Sequence, residues 1–275
     1  MGRGGRVDVA LVVGGRWHDL DFARLELLRE LGLHDVVRTR VFEDYRDAPA
    51  ALARADALVT YTCDVRPAPA ERQALVDFVS RGGRWLALHG SNAAIDPPPP
   101  GGPRVFRTPR VLGPLPELLG SRFLGHPPIG PYVVERVTRD DTAPEDPLVA
   151  GIGPFTTTDE LYVSELYPPL RVLLQARYRG PCPGFEEGQV TDDEPRPVLY
   201  RKTTGAGEVC YLTLGHCRGR FDVQDLGIDD LGRVDRGSWE IPQFRHIVAR
   251  AVAWAAYGDA WPERSAVDAK FIDDK

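Results

Sequence analysis

The chain has 275 residues, 34 of them basic and 40 acidic, giving a formal net charge of −6. No basic run tracks phosphates, which argues against nucleic-acid binding, and no apolar stretch approaches the ~20 residues of a membrane helix. Four cysteines (Cys63, Cys182, Cys210 and Cys217) show no CxxC and no repeated spacing. They predict neither a disulfide framework nor a thiolate zinc site, and place the protein in the cytoplasm. The length allows a large core and leaves association into a homo-oligomer open.

The apolar segment after Arg3 is interrupted by Asp8, so Val7–Val13 reads as a first strand and not as a leader. Phe22, Leu25, Leu28 and Leu31 then recur at helical spacing. Val36–Phe42 reads as a strand, Ala48–Arg54 as a short helix and Asp56–Tyr61 as a third strand. A helix over Pro67–Arg81 ends at Gly82-Gly83 and leads into Arg84–Leu88, a strand apolar enough to be buried on both faces. Strands alternating with helices over short connections imply a doubly wound, mostly parallel sheet flanked by helices.

Asn92–Pro114 breaks this pattern, because Pro97–Pro100 and Gly101-Gly102-Pro103 fit neither helix nor sheet. The run reads either as a wall or lid beside His89 or as a surface excursion. Order resumes at Leu115–Leu124, with strands at Tyr132–Val137 and Arg171–Tyr178 and a solvated loop over Arg179–Arg196. Pro197–Lys202 and Glu208–Leu214 form a hairpin, and Ile241–Tyr257 a closing amphipathic helix. Residues 1–261 are thus expected as one α/β domain with inserted loops, and 262–275 as a polar tail.

Six histidines are present, and His18, His89 and His216 each follow a predicted strand or its first turn. The carboxyl ends of parallel strands face one way, so the three are expected to line one crevice. His126, Asp159 and Glu160 lie in segments free to join them. Imidazoles with a carboxylate can act as acid and base, or can hold a divalent metal such as zinc. His89, His126, His216 and Glu160 are the candidate metal ligands. At a crevice mouth His89 would have little packing to lose, so His89→Ala is expected to cost function more than stability.

Six stretches, taken in order, resemble the trehalose-utilisation (ThuA-like) family. They are Gly14–Asp19, Tyr61–Asp64, Gly82–Gly90, Gly125–Pro127, Asp159–Tyr162 and Gly205–His216. The family's fold is similar to class I glutamine amidotransferases and to flavodoxin-like sheets. In amidotransferases the position of His89 holds the nucleophilic cysteine, and imidazole does not replace a thiolate there. The resemblance therefore does not carry glutamine hydrolysis across. It implies a carbohydrate-metabolism enzyme acting on a disaccharide or a keto-sugar-like molecule, paired with a sugar dehydrogenase. His89, His216 and Glu160 are the expected catalytic groups, and Trp17, His18, Asp64, Ser91, His126, Asp159 and Tyr162 the expected substrate contacts. A non-catalytic sugar-binding module is the alternative. An amide or ester hydrolase would need a nucleophile that the sequence does not offer. The loop after His89 usually carries aromatic residues in this family and is proline-rich here.

Overall fold

The structure, a computed structural model, describes residues 5–99, 101–102, 104–137 and 145–261. β1 (Val7–Gly15), α1 (Leu20–Gly32), β2 (Val37–Phe42), α2 (Ala48–Leu52), β3 (Ala57–Cys63), α3 (Pro69–Ser80) and β4 (Arg84–Leu88) alternate as expected. A 3₁₀ turn over His89–Asn92 follows, then α4 (Leu115–Leu119) and β5 (Ser121–Gly125). Next come β6 (Gly130–Arg136), β7 (Phe155–Asp159), β8 (Val163–Leu166), β9 (Arg171–Ala176), β10 (Gly180–Cys182) and β11 (Gly188–Val190). β12 (Arg196–Thr204), β13 (Gly207–Leu212) and α5 (Pro242–Tyr257) complete the chain of main elements.

Nine strands form one sheet in the order β2-β1-β3-β4-β13-β12-β9-β6-β7. The first five run parallel, giving the doubly wound half. From β13 outward every pairing is antiparallel. Among the described residues no helix lies between β6 and β13, and a parallel return needs a crossover of about a dozen residues or more. The sheet is therefore mixed, parallel only across the half where helices alternate with strands.

Side-chain alternation along the parallel strands builds a core on each face. Val9, Leu11, Val59, Leu86 and Leu212 pack toward α1 and α5, while Ala10, Leu58, Trp85 and Tyr211 pack toward α2, α3 and α4. α1 starts on Asp19, whose side chain accepts from the Phe22 amide. α3 begins at Pro69, with the Glu71 carboxylate accepting from the Ala68 amide. It ends where Gly82 adopts φ 109° and the Gly83 amide donates to the Phe78 carbonyl. A Cβ at Gly83 would sit 2.5 Å from the Phe78 ring, so β4 can start this close to α3 only with glycine there. The helix thereby delivers β4, and His89 after it, between the parallel strands β3 and β13.

The second half departs from its sequence reading in two places. Leu115–Leu124 divides into α4 and β5 around Gly120, which takes the left-handed conformation at φ 89°. Arg179–Arg196, expected to be solvated, folds into the β10–β11 hairpin and buries Phe185. Pro97–Pro99 are described, while Pro100, Pro103 and the polar tail over 262–275 lie outside the described residues. Among the described residues no helix is long and apolar enough to cross a membrane.

Candidate functional site

Loops at the carboxyl ends of β1, β3 and β4 carry Trp17, Asp64 and His89. These are the three non-glycine residues with positive φ among the described residues, at 65°, 55° and 49°. Such conformations cost about 1–3 kcal/mol each and persist only where the surroundings impose them. At His89 the chain turns from β4 straight into the 3₁₀ turn, and a Cβ on Gly90 would meet the Thr62 carbonyl at 2.6 Å. The elbow is therefore tight, and it aims the His89 ring at the other histidines.

His18, His89, His216 and Glu160 converge, each offering a ligand atom within 4.8 Å of the others. The His18 Nδ1–H donates to the Arg16 carbonyl at 3.0 Å, and the His89 Nδ1–H donates to the Thr213 carbonyl at 3.0 Å. Each ring is thereby fixed with its Nε2 lone pair facing inward, and the two Nε2 atoms stand 2.9 Å apart. His216 is fully buried, and its Nε2 has no hydrogen-bond partner. Its Nδ1 lies 3.0 Å from Glu160 Oε1, and its Nε2 faces the Asp235 carboxylate at 3.8 Å.

Glu160 is the hub. Its carboxylate lies 3.4 Å from His89 Nε2, 3.6 Å from His126 Nε2 and 3.4 Å from the Arg218 guanidinium. Burial opposes its ionisation, but the facing His126 and His216 rings outweigh burial and hold the carboxyl well below its usual range. Burial pushes His18 down to about 3, so that ring is neutral near pH 7. Burial also pulls His216 down, and the facing Glu160 charge more than reverses this. Inward lone pairs on rings braced by backbone carbonyls, the His216 ring and one carboxylate form a donor set that fits a divalent ion. His18 completes that set. His126, expected as a ligand, stands beside it with Nδ1–H donating to the Pro127 carbonyl at 2.7 Å and Nε2 toward Glu160.

Other expected site residues fall into two groups. Trp17 and Tyr162 line the cavity above the histidines, with Tyr162 packed 5.0 Å from the His89 ring. Asp64, Ser91 and Asp159 do not line it, nor do the fully buried His89 and His216, so that of the three histidines expected along one crevice only His18 faces the cavity. The Ser91 hydroxyl turns back to donate to the Leu88 carbonyl and meets Thr60 Oγ1 at 2.9 Å, bracing the elbow from beneath. Asp64 pairs with Arg66 and accepts from the Ile95 amide, tying down the loop after β4. Asp159 accepts from the amides of Glu160, Gly215, His216 and Ser238, so it holds the loop bearing His216. Cys217 is buried against the Tyr61 hydroxyl, and burial pushes its thiol up to about 12, leaving no nucleophile beside His216.

The cavity measures about 290 Å³. Phe106, Phe123, Phe185 and Arg218 line it, and none of them emerged from the sequence reading. Phe106 and Phe185 contact each other with centroids 5.7 Å apart, joined by a backbone bridge between the loop after β4 and the β10–β11 hairpin. The aromatic wall that the proline-rich loop had put in question is thus built from that loop's far end. The signal available in sequence was an isolated phenylalanine in each of two Gly/Pro-rich loops.

This geometry lies on an α/β fold whose ligand crevice opens at the carboxyl ends of its parallel strands, as in flavodoxin-like proteins. The sequence model of the ThuA family, described as trehalose utilisation, matches residues 9–226, and the chain belongs to that family. Comparison with curated proteins returns no match. Among solved structures it is similar to a ThuA-like protein from Bacteroides uniformis, at 16% identity and a TM-score of 0.60, covering 93% of each chain. A ThuA-like protein from Parabacteroides merdae matches at 16% identity and a TM-score of 0.56, covering 92% of this chain and 91% of that one. A β-galactosidase from Rahnella sp. matches at 14% identity and a TM-score of 0.50, with 90% of this chain covering 31% of the enzyme. At these identities the structural likeness speaks for the fold.

Proposed function

We propose that this chain is a carbohydrate-metabolism enzyme that acts on a keto-sugar or keto-glycoside in the histidine-floored crevice, with a divalent metal held by His18, His89, His216 and Glu160. Family membership supports a role in trehalose utilisation and hence in sugar chemistry. The observation that carries the finer reading is the pair of inward Nε2 lone pairs on His18 and His89, both rings being locked by carbonyl acceptors. A divalent ion in this set would supply Lewis-acid polarisation of a substrate carbonyl.

The residues around the set provide the remaining functions. His126, with Nδ1–H committed to a carbonyl, presents Nε2 as a base at the cavity wall. In this reading it accepts the proton from the carbon between the ketone and the glycosidic carbon, the electron pair expels the glycosidic oxygen to leave an enone, and the proton passes to that departing oxygen. Arg218 is anchored through Nε to the Trp17 carbonyl and positions Glu160. The four buried thiols are free, in keeping with a reducing cytoplasm. A sugar dehydrogenase is the class of enzyme that would supply the ketone.

Metal analysis of the purified protein, paired with solvent-deuterium exchange into a keto-glucoside followed by NMR, tests the proposal. We expect close to one divalent ion per chain. Exchange next to the ketone should fall at least 100-fold in both His89→Ala and His126→Gln. Absence of exchange and of product with metal-loaded protein would overturn it.

A further inference from the structure

The cavity above the histidines is unlike a site built for a second sugar ring. Its floor is polar, but the polar side chains of its upper wall are already engaged by the protein. The Trp17 indole N–H donates to Asp225 at 3.1 Å, and Arg16 stacks on the same ring while pairing with Asp225. His126 Nδ1 is bound to the Pro127 carbonyl, and the Arg218 guanidinium to the Trp17 carbonyl and Glu160. Away from the His126 and Arg218 side chains, the wall a ligand would touch is carbon: the Phe106 and Phe185 rings, and Ile95, Val223, Leu226 and Leu231 at the sides. Trp17 meets Phe106 edge to face at 5.9 Å, and Phe185 meets His126 at 4.9 Å, so one aromatic surface runs from the loop after β1 down to the floor.

Aromatic faces also pack against the C–H faces of sugars, but a pyranose sends its hydroxyls outward in the plane of the ring. Here the upper lining offers mostly Ile, Val, Leu and Phe side chains to such hydroxyls. A hydroxyl set against that apolar part of the wall would give up water without a replacement partner. The volume of about 290 Å³ lies at the lower end of small-molecule sites, room for one sugar ring and one compact group. We infer that the ligand is a glycoside whose sugar (in its keto form during turnover) reaches the histidine floor and whose other moiety is an apolar, aromatic aglycone held by Trp17, Phe106 and Phe185. The inference rests on the sugar-directed reading of the floor and narrows it from disaccharides to aryl glycosides.

Isothermal titration of the purified, metal-loaded protein with phenyl glucoside (both anomers), methyl glucoside, trehalose and phenol tests it. One phenyl glucoside anomer should bind at least tenfold more tightly than methyl glucoside and trehalose. Trp17→Ala and Phe185→Ala should each weaken phenyl glucoside more than methyl glucoside, removing most of that advantage. Phe106→Leu, milder in volume, gives the same direction should either truncation fail to fold. Trehalose binding as tightly as phenyl glucoside, or wall variants weakening every arm equally, would overturn the aglycone assignment. Absence of binding in every sugar arm would overturn it together with the sugar-directed reading. Selective binding of phenyl glucoside, with no exchange in the keto-glucoside experiment, would sustain the aglycone and overturn only the proposed chemistry.

Discussion

His18 Nε2 and His89 Nε2 face each other across 2.9 Å inside the protein, each on a ring whose other nitrogen donates to a backbone carbonyl. Two lone pairs at that distance repel unless a cation lies between or beside them. Folding and metal affinity should therefore be coupled. Chelation with EDTA is expected to lower the thermal midpoint by several degrees, and one equivalent of Zn²⁺ or Mn²⁺ to restore it. Glu160→Gln should keep the fold and lose at least tenfold in metal affinity, measured by competition with a chromophoric chelator. An unchanged midpoint with EDTA, together with unaltered metal affinity in Glu160→Gln, would count against the centre.

His89 is fully buried and stacks on Tyr61 with ring centroids 5.7 Å apart, so it lies beneath the cavity lining, against His18, and not at the crevice mouth. The expectation of a nearly neutral His89→Ala is corrected accordingly. Removing the ring unpairs the Thr213 carbonyl and opens a void, at a cost of about 1–3 kcal/mol. Because φ at His89 is 49°, glycine should recover part of the loss that alanine suffers, by about 1 kcal/mol. Urea midpoints of the two variants measure the difference, and equal midpoints would show that the elbow is not strained.

Asp159 is buried and gathers four amide donors, from Glu160, Gly215, His216 and Ser238. Asp159→Ala strands those donors away from water, at about 3 kcal/mol or more. Asp159→Asn keeps an acceptor and should fall between wild type and alanine. The same change should loosen His216 and weaken metal binding, although Asp159 touches no ligand atom of the set. A loss under about 1 kcal/mol in urea denaturation would mean that the loop holds itself.

The three histidines were legible in sequence because ends of parallel strands share one direction, so a strand pattern alone places His18, His89 and His216 together. Asp159 and Glu160 show where that reasoning stops. They are neighbours at the end of β7, and alternation sends one beneath the loop and the other into the crevice, but residue type does not say which. Ser91 was misplaced for a similar reason, since the 3₁₀ turn after His89 carries it back toward Thr60. Phe106 and Phe185 sit in loops without periodicity, and only the bridge between those loops makes a wall of them. The parallel half of the sheet followed from alternating helices and strands. The antiparallel half carries no such rhythm, and its strand order β12-β9-β6-β7 is set by which edges remain open.

Glu30 provides a pH test independent of the crevice. It lies in α1 at 8% exposure, and its Oε2 has no hydrogen-bond partner. Burial and then the nearby Glu26 charge raise its carboxyl to about 7, while Arg245 opposes the rise. The folded state therefore holds this proton more tightly than the unfolded chain, whose carboxyl titrates near 4.5. Stability from this group is fully present below that value and is lost as pH rises through about 7. Glu30→Gln removes the burden of a buried charge without changing shape. The variant should be more stable than wild type at pH 8, by on the order of 2 kcal/mol, with the gap closing as pH falls toward 5. Comparing the two proteins at each pH cancels every other titrating group. Urea midpoints at pH 5 and pH 8 decide it, and a gap that stays constant or widens toward acid would show that Glu30 is solvated in the folded state.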